Sequence, residues 1–297
     1  MSLKESVAIG YNGKKLVVYE NEIVGAKNVL VLIHGMQEHA MRYNAFSNAL
    51  SGHGIAFFAA DLRGHGKNID KKPGLDDGNI YKNIVEDYKI FIGMVKNKYK
   101  GAKIILMGHS YGSFVTQRFV RDYLDLVDKV IICGSSFMNT LLINAAKVIA
   151  GINRLFKGRE ADAKFIESLS IKGYGKGYPN GNWLSRDEKV FKDYASDPLC
   201  GGVFPVAFYE SMFKEVPKNY HGLKKWQKTS TKNVPILIIS GTDDPVSAKG
   251  KGAKKLYNVY LKAGLNVRVI LYEGARHELL NETNKSEVIK NILDFIK

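Results

Sequence analysis

The feature that most constrains this chain of 297 residues is the pentapeptide Gly-His-Ser-Tyr-Gly at residues 108–112. It follows an apolar run at residues 104–107 and precedes a stretch with helical spacing at residues 113–123. A G-x-S-x-G motif in a strand–turn–helix context is typical of a nucleophile elbow, whose tight turn needs small flanking residues such as Gly108 and Gly112. A serine in an ordinary glycine-containing turn is the alternative. The flanking strand and helix favour the elbow, so we predict that Ser110 is a catalytic nucleophile.

A serine nucleophile requires a base, and with an elbow of this kind the chain order is Ser, then Asp or Glu, then His. Two histidines follow Ser110 in the sequence, His221 and His277. His221 lies in a lysine-rich stretch that follows no predicted strand. His277 comes after an alternating strand pattern at residues 266–272 and a short turn, which places it in a loop at a strand end. We therefore predict that His277 is the base.

The acid is expected in the loop that follows the preceding strand, predicted at residues 235–240. That strand runs into a turn with two adjacent carboxylates, Asp243 and Asp244. A carboxylate that accepts a hydrogen bond from the ring of His277 would hold the tautomer that takes the proton of Ser110. Adjacent residues in a turn point in different directions, so only one of the two can do this. We favour Asp244 and expect Asp243 to cap the turn.

The order of the predicted elements indicates an α/β fold. After an N-terminal hairpin around Asn12 and Gly13, apolar strands alternate with helical patterns, which predicts a mostly parallel sheet covered by helices on both faces. The alternation stops for about a hundred residues after Cys133, far longer than an ordinary connection. We predict a core domain of residues 1–136 and 216–297, with residues 137–215 inserted as a lid over Ser110.

The predicted lid is rich in apolar side chains. Residues 141–150 form an apolar, helix-compatible run, and large side chains follow at Phe191, Tyr194, Phe204, Phe208, Tyr209, Met212 and Phe213. An apolar lid over a serine nucleophile indicates a pocket for an acyl chain. Equally, these side chains could attach the lid to the core domain, since most apolar stripes are buried for packing. The sequence leaves both interpretations open.

Several segments together resemble the monoglyceride lipase and lysophospholipase branch of the α/β-hydrolase superfamily. They are residues 34–39 (His-Gly-Met-Gln-Glu-His) with Arg42 and Tyr43, residues 61–66, the elbow, residues 241–246 and residues 272–282. The resemblance implies an α/β-hydrolase fold, with the acid at Asp244 and the base at His277. The chain departs from the family pattern at Lys67, where serine is usual, and at Ser113, where glycine or alanine is common.

A serine hydrolase also needs an oxyanion hole. When Ser110 attacks a carbonyl carbon, the carbonyl oxygen becomes negative and requires two N–H donors about 3 Å away. One donor is the backbone N–H of Tyr111, the residue after the nucleophile. The second is expected from the loop after the strand at residues 29–33, and the resemblance implies that it is the N–H of Met36. The alternative role for Met36 is that of a core methionine.

Other classes of site find little support. No histidine and acid spacing is typical of a metal site, and no motif indicates a cofactor. Two cysteines are too few for a disulfide framework, which favours a reducing compartment. The chain shows neither a signal-like start nor an apolar run of the roughly 18 residues that a spanning helix needs. These observations predict a cytoplasmic enzyme without metal or cofactor.

The formal net charge of +15 raises the question of an anionic partner. Residues 216–232 contain five lysines and no acid, with Tyr220 and Trp226 among them, and a second cluster comprises Lys249, Lys251, Lys254 and Lys255. A solvated surface is the simplest interpretation. The same charge would attract an anionic membrane surface in peripheral contact. No motif supports nucleic acid binding, and nothing indicates an oligomeric state.

The sequence therefore predicts a serine hydrolase that cleaves carboxylic esters through an acyl-enzyme. The resemblance implies a monoacylglycerol or a lysophospholipid as the substrate. Three alternatives remain: an esterase or thioesterase for small soluble substrates, a peptidase that acts at an N-terminal proline, and a non-catalytic ligand receptor on the same fold. The receptor is disfavoured because such proteins often lose a member of the triad, and this chain has all three.

Overall fold

The computed structural model describes residues 3–138, 140–169, 171–223 and 233–297. The strands predicted at residues 29–33, 235–240 and 266–272 are present within one residue of these bounds. A short 3-10 turn (Tyr11–Gly13) joins the first two strands of the chain. The strands are β1 (Lys4–Ile9), β2 (Lys15–Asn21), β3 (Asn28–Ile33), β4 (Ile55–Ala60), β5 (Lys103–His109), β6 (Lys129–Cys133), β7 (Ile236–Gly241) and β8 (Val267–Tyr272).

Helices separate the parallel strands and fill the long connection after β6. Those of the core are α1 (Asn44–Ser51), α2 (Ile80–Lys98), α3 (Tyr111–Tyr123), α9 (Lys251–Lys262) and α10 (Lys285–Ile296). Those between β6 and β7 are α4 (Thr140–Lys157), α5 (Lys164–Leu169), α6 (Ile171–Tyr174), α7 (Glu188–Ser196) and α8 (Val206–Glu215).

The described strands form one eight-stranded sheet in the order β1-β2-β4-β3-β5-β6-β7-β8. Strand β2 pairs antiparallel with both of its neighbours, and all other pairs are parallel. The predicted α/β-hydrolase fold with a mostly parallel sheet is therefore confirmed. Because β3, β5, β7 and β8 run in the same direction, the loops that follow them meet at one edge of the sheet.

The central strands are buried on both faces, which explains their unbroken apolar sequences. In β5, Ile104 and Leu106 face one core cluster together with side chains of α2 and α3. Ile105 and Met107 alternate to the other face and join a second cluster with α1 and α10. This period of two follows from the pleat of the strand. Two packed layers thus hold the sheet and its carboxyl edge in place.

Strain in the backbone explains the largest difference from the predicted helix bounds. The sequence predicts a helix over residues 247–263, whereas α9 begins at Lys251. Ala248, Lys249 and Gly250 have φ values of 50°, 57° and 80°, in the left-handed region that a right-handed helix does not use. These residues form a turn between Asp244 and the helix instead.

The lysine clusters are only partly described. Lys224, Lys225, Lys228, Lys232 and Trp226, which belong to the first predicted cluster, lie outside the described residues. Lys218 of that cluster lies 2.9 Å from a carboxylate oxygen of Glu215. In the second cluster, the ammonium group of Lys255 lies 4.7 Å from the ring centroid of Phe137.

Among the residues that the structure describes, no helix combines the length and apolarity that crossing a membrane requires.

The packing of α2 yields a prediction about stability. Phe91 is fully buried in the cluster between α2 and the sheet, 5.8 Å from the ring of Phe58. We predict that Phe91→Ala lowers the free energy of unfolding by about 3–5 kcal/mol, because the cavity it leaves cannot close completely. Met94→Ala on the exposed side of the same helix should change it by less than about 0.5 kcal/mol. Urea unfolding monitored by circular dichroism checks both, and equal effects would contradict this account of the core.

Candidate active site

Ser110 lies in the tight turn between β5 and α3, with a φ of 52° and a ψ of −119°. This conformation is strained and typically costs about 1–3 kcal/mol. The neighbouring glycines explain how it is held. A Cβ at Gly108 would lie 2.2 Å from the hydroxyl of Thr116, and one at Gly112 would lie 2.2 Å from the carbonyl oxygen of Ile33. No side chain fits at either position, and the turn places Ser110 in the wall of a cavity.

The structure brings the predicted base and acid together. Nδ1 of His277 lies 3.0 Å from Oδ1 of Asp244, and both side chains are buried. Asp244 Oδ1 also accepts the backbone N–H of Val246 at 2.9 Å, which orients the carboxylate. The other ring nitrogen, Nε2, has no hydrogen-bond partner among the described residues. His277 therefore has one nitrogen held by a carboxylate and one free, in the same cavity wall as Ser110.

Electrostatics favour the protonated form of His277. Burial by itself lowers the pKa of this imidazole, but the charge of Asp244 and the hydrogen bond to it outweigh burial. The pKa of His277 is consequently raised above the ordinary value. This is the arrangement in which an imidazole, after taking a proton, is stabilised by the carboxylate behind it.

Other side chains surround the ring of His277 without competing for its nitrogens. The ring centroids of His109 and Trp183 lie 4.7 and 5.0 Å from it. Burial lowers the pKa of His109 to about 4, so His109 adds no charge at neutral pH. Gly134, with a φ of 60°, lies against the ring, and a Cβ there would lie 3.1 Å from its Cε1 atom.

The remaining candidates for acid and base lie elsewhere. Asp243 was expected to cap its turn, but its carboxylate lies 3.3 Å from the ammonium group of Lys249 and 4.0 Å from Nε of Arg276. It therefore forms ion pairs and does not line the cavity that contains Ser110 and His277. His221 follows a 3-10 turn, where its backbone carbonyl accepts a hydrogen bond from Arg121, and it also lies outside the cavity.

The loop after β3 lies directly against the nucleophile. A Cβ at Gly35 would lie 3.2 Å from Cβ of Ser110 and 2.5 Å from the carboxylate of Glu38. Met36, the next residue, lines the same cavity as Ser110 and Tyr111. The backbone N–H groups of Met36 and Tyr111 donate to no acceptor among the described residues. Both predicted oxyanion donors thus lie in residues of the cavity wall and have no acceptor within the described part of the chain.

A buried ion network shapes this loop. Glu38 accepts the backbone N–H of Gly35 at 2.6 Å, the hydroxyl of Tyr43 at 2.8 Å and Nη1 of Arg42 at 2.8 Å. Arg42 in turn donates two hydrogen bonds of 2.8 Å to Glu278, the residue after His277. Burial alone raises the pKa of Glu38, but the charge of Arg42 outweighs it and leaves the pKa below its usual range. The network connects the loop after β3 to the loop that carries His277.

The cavity around these groups is largely apolar. Its walls include Phe114 of the core beside side chains of the inserted segment, which are Met138, Tyr174, Trp183, Leu184, Tyr194, Tyr209, Met212 and Phe213. Four of the side chains that the sequence left open therefore line the cavity: Tyr194, Tyr209, Met212 and Phe213. Phe204 and Phe208 instead pack on the ring of His65, at centroid distances of 4.9 and 5.9 Å, and attach the segment to the core.

The inserted segment is also fastened to the loop after β3. Gln37 donates through its side chain to the carbonyl of Gly202, and the Gly201 N–H donates to the carbonyl of Gln37 at 2.8 Å. Nε2 of His39 lies 2.9 Å from the carboxylate of Asp197. These contacts hold the end of the inserted segment beside the cavity.

His39, Asp197 and Cys200 also bear on the question of a metal. Their potential ligand atoms lie within 4.8 Å of one another. However, Nε2 of His39 already contacts Asp197, and burial raises the pKa of the Cys200 thiol to about 12, so the sulfur is not the thiolate that binds metals. This donor set does not favour a metal ion, and the absence of a metal cofactor stays a prediction.

No sequence pattern predicted several of the residues around the site. Trp183 and Gly134 contact His277 from the connection after β6, where no motif marked them. Arg42 and Glu278 stood in recognised segments, but nothing in the sequence indicated that residues 236 positions apart form a bidentate ion pair. Only the opposite charges of Arg42 and Glu278 offered a signal, and such charges are common in the chain.

Known proteins share this architecture. The model of the family described as serine aminopeptidase, S33 matches residues 25–284. A monoglyceride lipase homolog of monkeypox virus is 29% identical over 283 residues, covering 94% of this chain and 92% of the relative. A monoacylglycerol lipase of Mycolicibacterium smegmatis is 24% identical over 279 residues, covering 91% and 88%. The crystal structure of a carboxyl esterase from Bacillus coagulans matches with a TM-score of 0.83 and 24% identity, covering 100% of this chain and 98% of the esterase. Since the family model spans most of the sequence, the chain belongs to the serine aminopeptidase S33 family of α/β-hydrolases.

Proposed function

We propose that this protein is a serine esterase that hydrolyses monoacylglycerol-type lipid esters through an acyl-enzyme. One observation carries the proposal: a serine in a strained elbow and a carboxylate-bound histidine with a free Nε2 open into one apolar cavity. The relatives named monoglyceride or monoacylglycerol lipase support the choice of substrate.

In the proposed mechanism, Nε2 of His277 takes the proton of Ser110 while the serine oxygen attacks the ester carbonyl carbon. The carbonyl oxygen becomes negative and accepts hydrogen bonds from the N–H groups of Met36 and Tyr111. Asp244 stabilises the imidazolium that forms. His277 then gives the proton to the leaving alcohol, and a water activated by the same ring hydrolyses the acyl-enzyme.

The lining of the cavity favours an acyl chain over a small polar acyl group. Phe114, Met138, Tyr209, Met212 and Phe213 present carbon-rich surface close to Ser110. Burying each methylene of a chain on such a surface contributes roughly 0.8 kcal/mol. The inserted segment of residues 137–215 contributes much of this lining, which supports its proposed role as a lid over Ser110.

The family description makes a peptidase acting at an N-terminal amine the second candidate, because two carboxylates, Glu38 and Glu278, line the cavity. A positively charged amine would need at least one of them unpaired. Both are already bound by Arg42, and Asn281 donates to Glu278 as well. Arg42 balances one of the two negative charges, but its hydrogen bonds and that of Asn281 occupy oxygens of both carboxylates. The apolar lining of the cavity favours the ester over the peptide.

We also propose that the lid contacts an anionic membrane surface. Helix α4 is apolar on two sides: Ile143 and Ala150 are buried, whereas Val148, Ile152, Leu155 and Phe156 are exposed, the last two by 84% each. The exposed side chains recur at intervals of three and four residues and form one stripe. Lys147 and Lys157 stand exposed on the same helix, which contains no acid, whereas Arg154 is paired with Glu210 of α8 at 2.8 Å. Apolar side chains with adjacent cations suit an interface with anionic lipids.

The cytoplasmic location remains part of the proposal. The two cysteines, Cys133 and Cys200, are both free thiols, as expected in a reducing compartment.

The first prediction concerns substrate and nucleophile. We expect hydrolysis of p-nitrophenyl esters to increase from acetate towards medium or long acyl chains, and monoacylglycerol or lysophosphatidylcholine to be cleaved. Ser110→Ala should lower kcat by about 10⁶-fold and abolish labelling by a fluorophosphonate. A maximum at acetate would move the proposal to an esterase for small substrates, and cleavage of proline p-nitroanilide would favour the peptidase. No activity and no labelling of the unsubstituted protein would contradict the enzyme and indicate a receptor.

The raised pKa of His277 predicts the pH dependence. His277 must be neutral to take the proton of Ser110, so kcat/KM should fall as the pH drops through a midpoint above the ordinary imidazole pKa. Asp244→Asn removes the charge that raises this pKa and leaves the burial that lowers it. We expect its midpoint to move to lower pH and its kcat to fall by about 10⁴-fold.

Asp243→Asn is the matched control for this profile, because it removes a carboxylate from the neighbouring position of the same turn. Its midpoint and kcat should remain those of the unsubstituted protein. If the midpoint shifts in the Asp243 variant and not in the Asp244 variant, Asp243 is the acid and our assignment is wrong.

Membrane contact predicts a dependence on lipid charge and on α4. The protein should cosediment with vesicles of phosphatidylglycerol more than with vesicles of phosphatidylcholine, and less at high salt. Replacing both Leu155 and Phe156 by Asn should reduce the bound fraction strongly. Leu261→Asn on α9, where the leucine is 51% exposed, is the control and should bind as before. Equal loss in both variants, or binding without regard to lipid charge, would exclude this surface.

A further inference from the structure

A buried chain of hydrogen bonds runs beneath the nucleophile elbow. The hydroxyl of Ser113 donates to the backbone carbonyl of Ser110, and it lies 2.6 Å from the hydroxyl of Ser135. Nε2 of Gln117 donates to the Ser135 hydroxyl at 2.8 Å. Ser113, Ser135 and Gln117 are all fully buried. The chain thus joins α3 to the end of β6 and terminates on the nucleophile's own carbonyl oxygen.

The direction of every hydrogen bond in this chain is determined. Nε2 of Gln117 also lies 3.3 Å from the carbonyl oxygen of Ser136, which can only accept, so the amide nitrogen and not the oxygen faces this side. At the other end the carbonyl oxygen of Ser110 can only accept, so Ser113 must use its single hydroxyl hydrogen there. Ser135 then donates to Ser113 and accepts from Gln117. All donors in the chain point towards the carbonyl of Ser110.

That carbonyl belongs to the peptide group whose N–H is the proposed oxyanion donor. The peptide joins Ser110 to Tyr111, and its oxygen also accepts the backbone N–H of Ser113 at 2.9 Å. Hydrogen bonds to the oxygen of a peptide draw electron density away from its nitrogen, which makes the N–H a stronger donor, and consecutive bonds reinforce one another. The buried location keeps water from weakening this effect.

We propose that Ser113, Ser135 and Gln117 are positioning residues that polarise the Ser110–Tyr111 peptide and strengthen its N–H in the oxyanion hole. The inference rests on the proposed function, because it requires Ser110 to be the nucleophile. The serine at position 113 carries the hydroxyl that donates to this carbonyl. A serine at this position adds a donor without changing any group that touches the substrate.

The expected decrease in kcat can be estimated from the contribution of one oxyanion donor to turnover. Losing one donor outright costs about 10²–10³-fold in turnover, and cooperative strengthening amounts to about 10–30% per bond. We apply this percentage to the logarithm of the 10²–10³-fold factor. The loss of the Ser113 hydroxyl should then lower kcat about two- to eightfold. KM for the ester should not change, because the ground-state carbonyl bears little charge.

The test compares Ser113→Ala and Ser135→Ala with Ser240→Ala. Ser240 is a fully buried serine in β7 whose hydroxyl contacts the carbonyl of Gly241, so its variant removes the same group without touching the Tyr111 peptide. We expect kcat to fall most in the Ser113 variant, where only the backbone N–H of Ser113 still donates to the carbonyl. It should fall less in the Ser135 variant, where the Ser113 hydroxyl and N–H both still donate and only the reinforcing donor is lost. The Ser240 variant should keep the original kcat and KM.

Three further readouts separate polarisation from a structural defect. One readout uses a trifluoromethyl ketone that carries the substrate's acyl chain. The Ser110 oxygen adds to the ketone's carbonyl carbon while His277 takes the serine proton, and the carbonyl oxygen becomes a bound alkoxide. The inhibition constant of the ketone should rise by the same factor as kcat falls in each variant. In the free protein, labelled with ¹⁵N-tyrosine, the amide proton of Tyr111 should move upfield in Ser113→Ala. The midpoint of the pH profile should stay in place, because the His277–Asp244 pair is untouched.

The outcomes distinguish this inference from the proposed function. Full activity in Ser110→Ala would overturn the function, and the inference with it. Loss of activity in Ser110→Ala combined with equal kcat, inhibition constant and Tyr111 shift in the Ser113 and Ser240 variants would leave the function and overturn the inference. A reduced kcat in the Ser113 variant with an unchanged inhibition constant would likewise overturn it.

Discussion

Contact between backbones at the carboxyl edge of the sheet is the constraint on which the site depends. A Cβ at Gly112 would lie 2.2 Å from the carbonyl of Ile33, and one at Gly241 would lie 1.9 Å from the carbonyl of Ala275. The first contact brings the elbow against the loop after β3, and the second brings the loop after β7 against the loop that carries His277. At Gly134 the backbone lies directly against the His277 ring. Loops that meet this closely leave their polar groups within hydrogen-bonding distance, which no arrangement of larger residues would permit.

Two buried ionic groups complete the framework, and they have different purposes. In the first, Asp244 holds one nitrogen of His277 and leaves the other free, so its charge is available to the chemistry. In the second, Arg42 donates hydrogen bonds to both Glu38 and Glu278, so the three side chains hold one another in place. Breaking a buried pair of the second kind is costly because the remaining charge cannot reach water. The network therefore fixes the shape of the loops, while the Asp244–His277 pair retains the capacity to move a proton.

The inserted segment combines attachment and lining in different side chains. Phe204 and Phe208 pack on His65 and secure the segment, whereas Tyr209, Met212 and Phe213 on the same or the next turns of α8 face the cavity. A helix can do both because its residues point in several directions within one turn. The same reasoning applies to α4, whose inner side packs in the core while its outer side exposes Leu155 and Phe156. The proposed membrane contact and the lining of the cavity thus belong to different helices of the same inserted segment.

The sequence alone indicated the order of the strands and helices of the core and predicted Ser110, Asp244 and His277 as the triad, because strand patterns, tight turns and the elbow leave local signals of a few residues. It also marked Ser113 as unusual, yet it could not tell why. The tertiary structure decided the contacts between residues far apart in the chain. These are the bidentate contact of Arg42 with Glu278, the tilted contact of the Trp183 ring with His277, and the chain from Gln117 through Ser135 to Ser113. It also separated Met212 and Phe213, which line the cavity, from Phe204 and Phe208, which pack in the core. The residue type tells whether a side chain needs an apolar contact, a hydrogen bond or an opposite charge. Which residue supplies that contact is decided only when the folded backbone brings distant segments together.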